Sequence, residues 1–348
     1  MISVENISLK AGSFELNNVS FTVDKGDYFV ILGISGVGKS LLLESIAGLI
    51  GITSGKIFLR GRDITKEKIQ KRNISIVYQE EDLFPHMSVF ENIAYPLRSK
   101  REKEIKDKAG RAAELVGIAD KMNRRPETLS GGEYQRVALA RSLAADNDLF
   151  LLDEPLSSLD SKSKGELRSL LRKLNREGIT IIHVTHDYEE ALSLANKIGI
   201  MENGKLVQVA SPEEIFKHPK SEFVARFTGV KNFFRGQLKK TEGHDLKEFS
   251  SSGIKIACLT DVQDGEAFLM IDPDEISLST QAETGSARNH FRGKITDIAI
   301  ARLGLEIYIN IGCEIVAQIS SDAKKSLELE TGKEVWVNFK ASSCKIYN

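Results

Sequence analysis

The sequence predicts an α/β domain built on a mainly parallel sheet, followed by a small all-β, OB-like barrel domain. Three observations carry this reading. Short apolar runs with the length and β-branched content of buried strands, YFVIL (28–32), LFLLDE (149–154) and TIIHVTH (180–186), alternate with helical text. A glycine-rich loop, GISGVGKS (33–40), stands directly between the first of these strands and an apolar helix. After about residue 230 helical periodicity nearly vanishes, and short strand-like segments alternate with turns.

The elements follow in order. Residues 1–80 alternate short apolar runs with Gly-rich turns. LLLESIAGLI reads as an apolar helix stopped at Gly51, and 101–122, rich in Lys, Glu and Ala, as an exposed helix. Helical text around 162–177 separates the strands that end on Glu154 and His186. Strand, helix and strand in alternation give a parallel sheet, whose chemistry collects at the carboxyl ends of its strands. Beyond 230 come GIKIACL, EAFLMI, LEIYINI, CEIVAQI and KEVWVNF. FRGQL (234–238) recurs as FRGKI (291–295), so two related β units are expected within 231–348, after a first domain spanning 1–230.

Composition bounds the partners. Lys+Arg number 48 against Asp+Glu 49, a net charge of −1 that offers no global field for nucleic acid or an anionic membrane. Three widely spaced cysteines, Cys258, Cys313 and Cys344, without a CxxC, fit reduced thiols better than a disulfide scaffold or a zinc site. MISVENISLK lacks the basic start and apolar core of a signal peptide. The apolar runs fall far short of the roughly 20 residues that cross a bilayer. The chain is expected to be soluble, or held at a membrane by a partner.

GISGVGKS satisfies G-x-x-x-x-G-K-[ST] in full. Gly33, Gly36 and Gly38 let backbone N–H groups turn inward around a phosphate, and the following helix aims its N-terminus at the same anion. Lys39 adds a point charge toward the outer phosphates, and Ser40 offers a hydroxyl to Mg²⁺. At the end of LFLLDE, Asp153 is placed to hold Mg²⁺ through water, and Glu154 to orient or deprotonate an attacking water.

LSGGEYQR (129–136) opens a helix with a second anion-binding N-terminus. One nucleotide does not need two such cradles, so the second serves a nucleotide held by another subunit. With these motifs the first 230 or so residues resemble the ATPase subunits of ABC transporters, P-loop NTPases whose cassettes carry a helical subdomain. The resemblance implies ATP and Mg²⁺ as ligands and a head-to-tail homodimer in which the signature Ser130, Gly131 and Gly132 of one subunit closes on ATP held by the other. It implies nucleotide contacts from Gly33, Ser35, Gly36, Val37, Gly38, Lys39, Ser40 and Leu41. Gln79 becomes the lid glutamine that senses Mg²⁺, Asp160 of SSLD (157–160) the interface residue, and His186 the switch histidine that contacts the γ-phosphate and Glu154.

One element departs from that family. Its members stack adenine on an aromatic residue a few positions before NNVSF; here that place falls near Ala11, which cannot stack. Phe14 is the nearest aromatic, and its spacing suits a core position. The mostly helical insert at about 80–145 is, by the same resemblance, the part that meets a permease subunit. Roughly half the apolar side chains of LFPHMSVFENIAYPL (83–97) are expected to fill the insert's own core and the rest to face that partner.

The second domain resembles the small TOBE/Mop barrel modules appended to ABC importers, and TGSARNHFRGKI and VNFKASSCKIY look like two halves of a molybdate-binding module. A tetrahedral dianion needs several short donors and about two positive charges around a compact cavity. Ser286 and Arg288 with backbone N–H groups would supply one side, and Lys340, Ser342 and Ser343 the other, with Ala287 and Ala341 leaving space. The expectation is the ATPase of a molybdate or tungstate importer at the cytoplasmic face of the cell membrane. It would be bound to two permease subunits, served indirectly by an external binding protein, and inhibited by internal oxyanion. An importer of sulfate, ferric iron or polyamine with a vestigial barrel is the near alternative. A soluble machine of translation or DNA repair would carry two cassettes or a long coiled coil, and an oxyanion-storage protein would not need the full ATPase motif set.

Overall fold

The computed structural model describes residues 1–12, 14–79, 83–241, 245–251, 253–282, 285–301 and 303–347. It forms two compact units, Met1–Ile215 and Phe216–Asn348. The division falls ahead of residue 230 because a short helix, Glu222–Phe227, sets Ala225 against Phe233 and Met270 in a small core of the second unit.

In the first unit β1 (Ile2–Ala11) pairs antiparallel with β2 (Phe14–Val23). Next come β3 (Tyr28–Leu32), α1 (Lys39–Ala47), β4 (Ser54–Leu59), the two-residue β5 (Arg62–Asp63) and β6 (Ile74–Val77). Three helices follow, α2 (Val89–Ser99), α3 (Ile105–Leu115) and α4 (Gly131–Ala144). The chain then alternates through β7 (Leu149–Asp153), α5 (Ser161–Arg176), β8 (Thr180–Thr185), α6 (Tyr188–Leu194), β9 (Lys197–Glu202), β10 (Lys205–Ala210) and α7 (Pro212–Lys217).

One sheet is antiparallel, in the order β2-β1-β4-β5; the other runs β10-β9-β3-β8-β7-β6 and is parallel except for β10. Strands β3, β7 and β8 are buried along their whole length, as central strands of a sheet covered on both faces must be. Register decides the rest: Leu32 lies opposite Thr185, and Asp153 opposite Val184. The loop after β3, the carboxylates ending β7 and the histidine after β8 therefore leave the sheet at one edge. Ile2, Leu9, Ile31, Leu42 and Ile182 belong to the core that joins the two sheets through α1, each such side chain contributing about 1.5–3 kcal/mol.

Two expected elements differ from the structure. Helix α1 ends at Gly48, not Gly51. Arg72, buried beside it, donates to the carbonyls of Ser45 (3.0 Å) and Ile46 (2.9 Å) and so takes up the helix end. Gly48 has φ 86°, and a Cβ there would lie 2.4 Å from Arg72 Nε. The helix expected at 101–122 shortens to α3, and it buries Ala109, Ala112 and Ala113 rather than lying wholly exposed.

The second unit opens with α8 (Glu222–Phe227) and continues with β11 (Asn232–Lys240), β12 (Lys247–Ser251), β13 (Ile254–Cys258), β14 (Gly265–Ile271) and β15 (Ser277–Ser279). It closes with β16 (Asn289–Ile300), β17 (Leu305–Asn310), β18 (Glu314–Ile319), a short α9 (Ser321–Ser326), β19 (Glu334–Phe339) and β20 (Lys345–Tyr347). Two antiparallel sheets, β13-β12-β11-β14-β20 and β15-β19-β16-β17-β18, share one core. Their orders are the same once β11 is matched with β16, and each FRG strand is central. The last strand of each half is exchanged: β15 pairs with β19, and β20 with β14.

The repeat is longer than five residues: NFFRG (232–236) answers NHFRG (289–293). Both asparagines are buried and bind the backbone of the other half. Asn232 accepts from Val316 N (2.7 Å) and donates to Val316 O (2.8 Å); Asn289 does the same with Ala257 (2.8 and 2.9 Å). Both glycines are required by crowding, since a Cβ at Gly236 would lie 2.3 Å from Ser250 O and one at Gly293 2.6 Å from an Ile309 methyl.

Candidate nucleotide site and β-domain cavity

A cavity of about 770 Å³ opens at the carboxyl edge of the parallel sheet. Its walls include Ser35, Gly36, Gly38, Lys39, Ser40, Leu41, Gln79, Glu154 and His186. Gly33 and Val37 shape the loop from beneath: Val37 is buried in the core, and Gly33 leaves no room for a Cβ against Met201 O at 2.6 Å. Helix α1 begins after Gly38, which has φ 96° and no side-chain cap, so the first helical N–H groups are free for an anion.

Lys39 is buried and donates to the carbonyls of Gly33 (2.9 Å) and Ile34 (3.0 Å), with Glu154 Oε1 at 3.9 Å. Burial pushes its ammonium below the ordinary value, opposed by the charges of Glu154 and Asp153. Ser40 Oγ donates to Asp153 Oδ1 at 3.1 Å. Burial raises the Asp153 carboxyl, and the Ser40 hydrogen bond works against that rise. Glu154 adopts φ 45°, a strained conformation held by its N–H to Val184 O (3.0 Å) and by the Ser157 hydroxyl on its carbonyl (2.9 Å). His186 Nδ1 lies 3.0 Å from Glu154 Oε2.

Sequence reasoning missed what braces the turn that carries His186. Thr185 Oγ1 donates to buried Glu190 (2.9 Å) and accepts from Asp187 N (3.0 Å), while Asp187 caps α6 by accepting from Glu190 N (3.1 Å). His183, inside β8, is fully buried with Tyr28 Oη at 3.0 Å from Nδ1, and burial lowers its pKa to about 3. Phe14 packs half-buried against the core, as its spacing suggests, and also faces the cavity. It lines the nucleotide cavity with Ala11, and a Cβ on Gly38 would meet its ring at 2.4 Å.

Ser130, Gly131, Gly132 and Asp160 are absent from the walls of this cavity. Ser130 caps α4 in a reciprocal box with Glu133, and Asp160 caps α5 by accepting from Lys162 N (3.0 Å) and Ser163 N (3.1 Å). Gly131 and Gly132 pack on Leu159 and Ser163, which joins the signature to the SSLD loop. In the helical insert Leu83, Val89, Ile93, Ala94 and Leu97 are buried, while Tyr95 is exposed and meets the Phe84 ring in a tilted contact at 4.6 Å, with Arg141 over the Phe84 ring.

In the second unit Ser286, Ala287, Lys340 and Ser343 line one cavity of about 260 Å³. The structure does not bring Arg288 or Ser342 into it. Arg288 instead lines a different cavity of about 410 Å³, together with Asn289 and His290. Ser342 is exposed between buried Ala341 and Ser343. The smaller cavity also holds a residue not anticipated from the sequence, Glu275, whose Oε2 accepts from Ser343 Oγ at 2.7 Å.

Residues 16–157 match the ABC transporter family and residues 285–346 the TOBE domain. A molybdate/tungstate import ATP-binding protein of Pyrococcus abyssi is 40% identical over 353 residues, covering 100% of both chains. A spermidine/putrescine import ATP-binding protein of Pseudomonas aeruginosa is 38% identical over 86% of this chain and 84% of its own. An Fe(3+) ions import ATP-binding protein of Brucella melitensis is 35% identical over 100% and 98%. A solved ATP-binding cassette, in a dimeric post-hydrolysis state with ADP and phosphate, aligns with TM-score 0.55 and 30% identity, over 61% of this chain and 99% of that one. The chain belongs to the ABC transporter ATP-binding family: it is an ATP-binding, ATP-hydrolysing importer subunit.

Proposed function

We propose that this chain energises uptake of molybdate or tungstate. The observation that carries this reading is the full-length likeness to a molybdate/tungstate import ATP-binding protein, which runs through the β domain as well as the cassette. Two copies act as a head-to-tail homodimer at the cytoplasmic face of the membrane, each bound to a permease subunit through the insert surface around Phe84 and Tyr95. Support for pairing comes from the signature, which does not line its own chain's nucleotide cavity while the phosphate loop does. An external binding protein would deliver the cargo to the permease.

ATP phosphates enter the loop at the free N-terminus of α1, and Lys39 exchanges loop carbonyls for phosphate oxygens. Ser40, Asp153 and Gln79 form an all-oxygen donor set that suits Mg²⁺, with the first two 3.1 Å apart. Bound there, the ion would neutralise charge developing on the β- and γ-phosphates. Glu154 Oε2 is engaged by His186, which leaves Oε1 to orient the attacking water and accept its proton. His186 presents its other ring nitrogen toward the γ-phosphate. Internal oxyanion, bound between Ser286 and Lys340, would hold the dimer open, a coupling between two distinct sites.

A second reading, import of polyamine or ferric iron, is favoured by relatives of those names and by the carboxylate inside the β-domain cavity. The complex reconstituted with its permease and binding protein separates the two. Molybdate-loaded binding protein is expected to stimulate ATP hydrolysis, and stimulation by a spermidine- or iron-loaded one instead would overturn the assignment. Millimolar internal molybdate is further expected to lower that activity, and Lys340→Ala to relieve the inhibition.

A further inference from the structure

The exchanged halves of the β domain can be aligned residue by residue. Phe234 lies opposite Leu269, and its counterpart Phe291 opposite Val337. Each register then runs through a short turn, Pro273–Glu275 or Ala341–Ser343, into an exchanged strand. This places Ile271-Asp272-Pro273-Asp274-Glu275 on Phe339-Lys340-Ala341-Ser342-Ser343. Where one half offers a cation and two hydroxyls, the other offers three carboxylates. The two counterparts also meet, because Ser343 Oγ donates to Glu275 Oε2 at 2.7 Å inside the cavity that Lys340 and Ser286 line.

We propose that Glu275 is a built-in competitor of the oxyanion at this cavity. Its carboxylate takes the Ser343 hydroxyl that a tetrahedral dianion would use, and repels that dianion across a space of about 260 Å³. Oxyanion enters when Glu275 releases Ser343, so Glu275 sets the concentration at which the β domain responds. This inference rests on the oxyanion reading of the cavity given above.

The test is calorimetric titration of the full chain with sodium molybdate and with sodium tungstate. Glu275→Gln keeps an acceptor for Ser343 and removes the charge; Glu275→Ala removes both. Either variant is expected to bind the anions about tenfold or more tightly than the unaltered chain. Adding Lys340→Ala to Glu275→Gln is expected to abolish that gain, and thermal unfolding checks that each variant is folded. Binding by the unaltered chain that neither substitution strengthens overturns the role of Glu275 and leaves the oxyanion site standing. Failure of every form to bind at millimolar anion overturns the oxyanion reading and this inference together.

Discussion

His186 Nδ1 sits 3.0 Å from Glu154 Oε2, so the residue that follows one parallel strand grips the carboxylate that follows its neighbour. The contact occupies Oε2, while Oε1 faces the Lys39 ammonium at 3.9 Å. Glu154→Gln preserves the contact and removes the carboxylate proposed as the base. Phosphate release under single-turnover conditions is expected to fall at least about 100-fold, with ATP binding retained. Turnover within a few-fold of the unaltered chain would assign the base elsewhere.

Phe14 borders the nucleotide cavity because Gly38 has no side chain to exclude it. If adenine stacks on this ring, Phe14→Ala raises the ATP dissociation constant about fivefold or more, and Phe14→Trp restores it. Equal affinity for Phe14→Ala and the unaltered chain in a nucleotide titration would rule the platform out.

The buried His183 gives the cassette a defined response to acid. Its folded pKa, lowered to about 3, lies below the unfolded value of 6.5. The unfolded chain therefore binds a proton that the folded chain refuses, and stability falls as pH drops from about 6.5 toward 3, by several kcal/mol at most. Asp153 and Glu190 are shifted upward by burial and act with the opposite sign, gaining stability as pH falls through their raised values. The histidine's share is thus read as a difference: urea unfolding of His183→Leu is expected to show a shallower loss between pH 7 and pH 4. Parallel pH curves for the two proteins would contradict this.

The paired asparagines of the β domain bind the other half in the same way, and Asn232 also donates to Ile271 O of its own half at 3.1 Å. Each satisfies one backbone N–H and one carbonyl of the other half from a buried position. Asn232→Ala and Asn289→Ala each orphan such a pair, at about 1–3 kcal/mol per group. Calorimetric scans are expected to show both variants losing stability, Asn232→Ala by at least as much as Asn289→Ala, with ATP binding unchanged. A loss for only one of them would deny the symmetry.

What was legible in the sequence is what local spacing encodes. The phosphate loop, Asp153 with Glu154, and the Ser130 cap are short motifs whose geometry is set within a turn or two of chain. The end of α1 was not legible, because Arg72 reaches it from a distant turn. Phe14 has the alternation of an inward strand residue and does pack on the core; that it also borders the cavity beside Gly38 depends on a contact between distant segments. Residue type alone puts Arg288 with Lys340, yet the two line separate cavities. A five-residue repeat does not reach Glu275. Carried through the following strand and turn, the same repeat lays IDPDE on FKASS and exposes the carboxylate.

The exchange of β15 and β20 bears on how the chain is made. Strand β14 emerges from the ribosome with one edge bare, and the strand that covers it, β20, is translated only after the whole second half. Until then the nascent domain carries an open edge of the kind that recruits foreign strands. A ribosome that stalls before Lys345 therefore releases a product whose second sheet can be complete and whose first cannot.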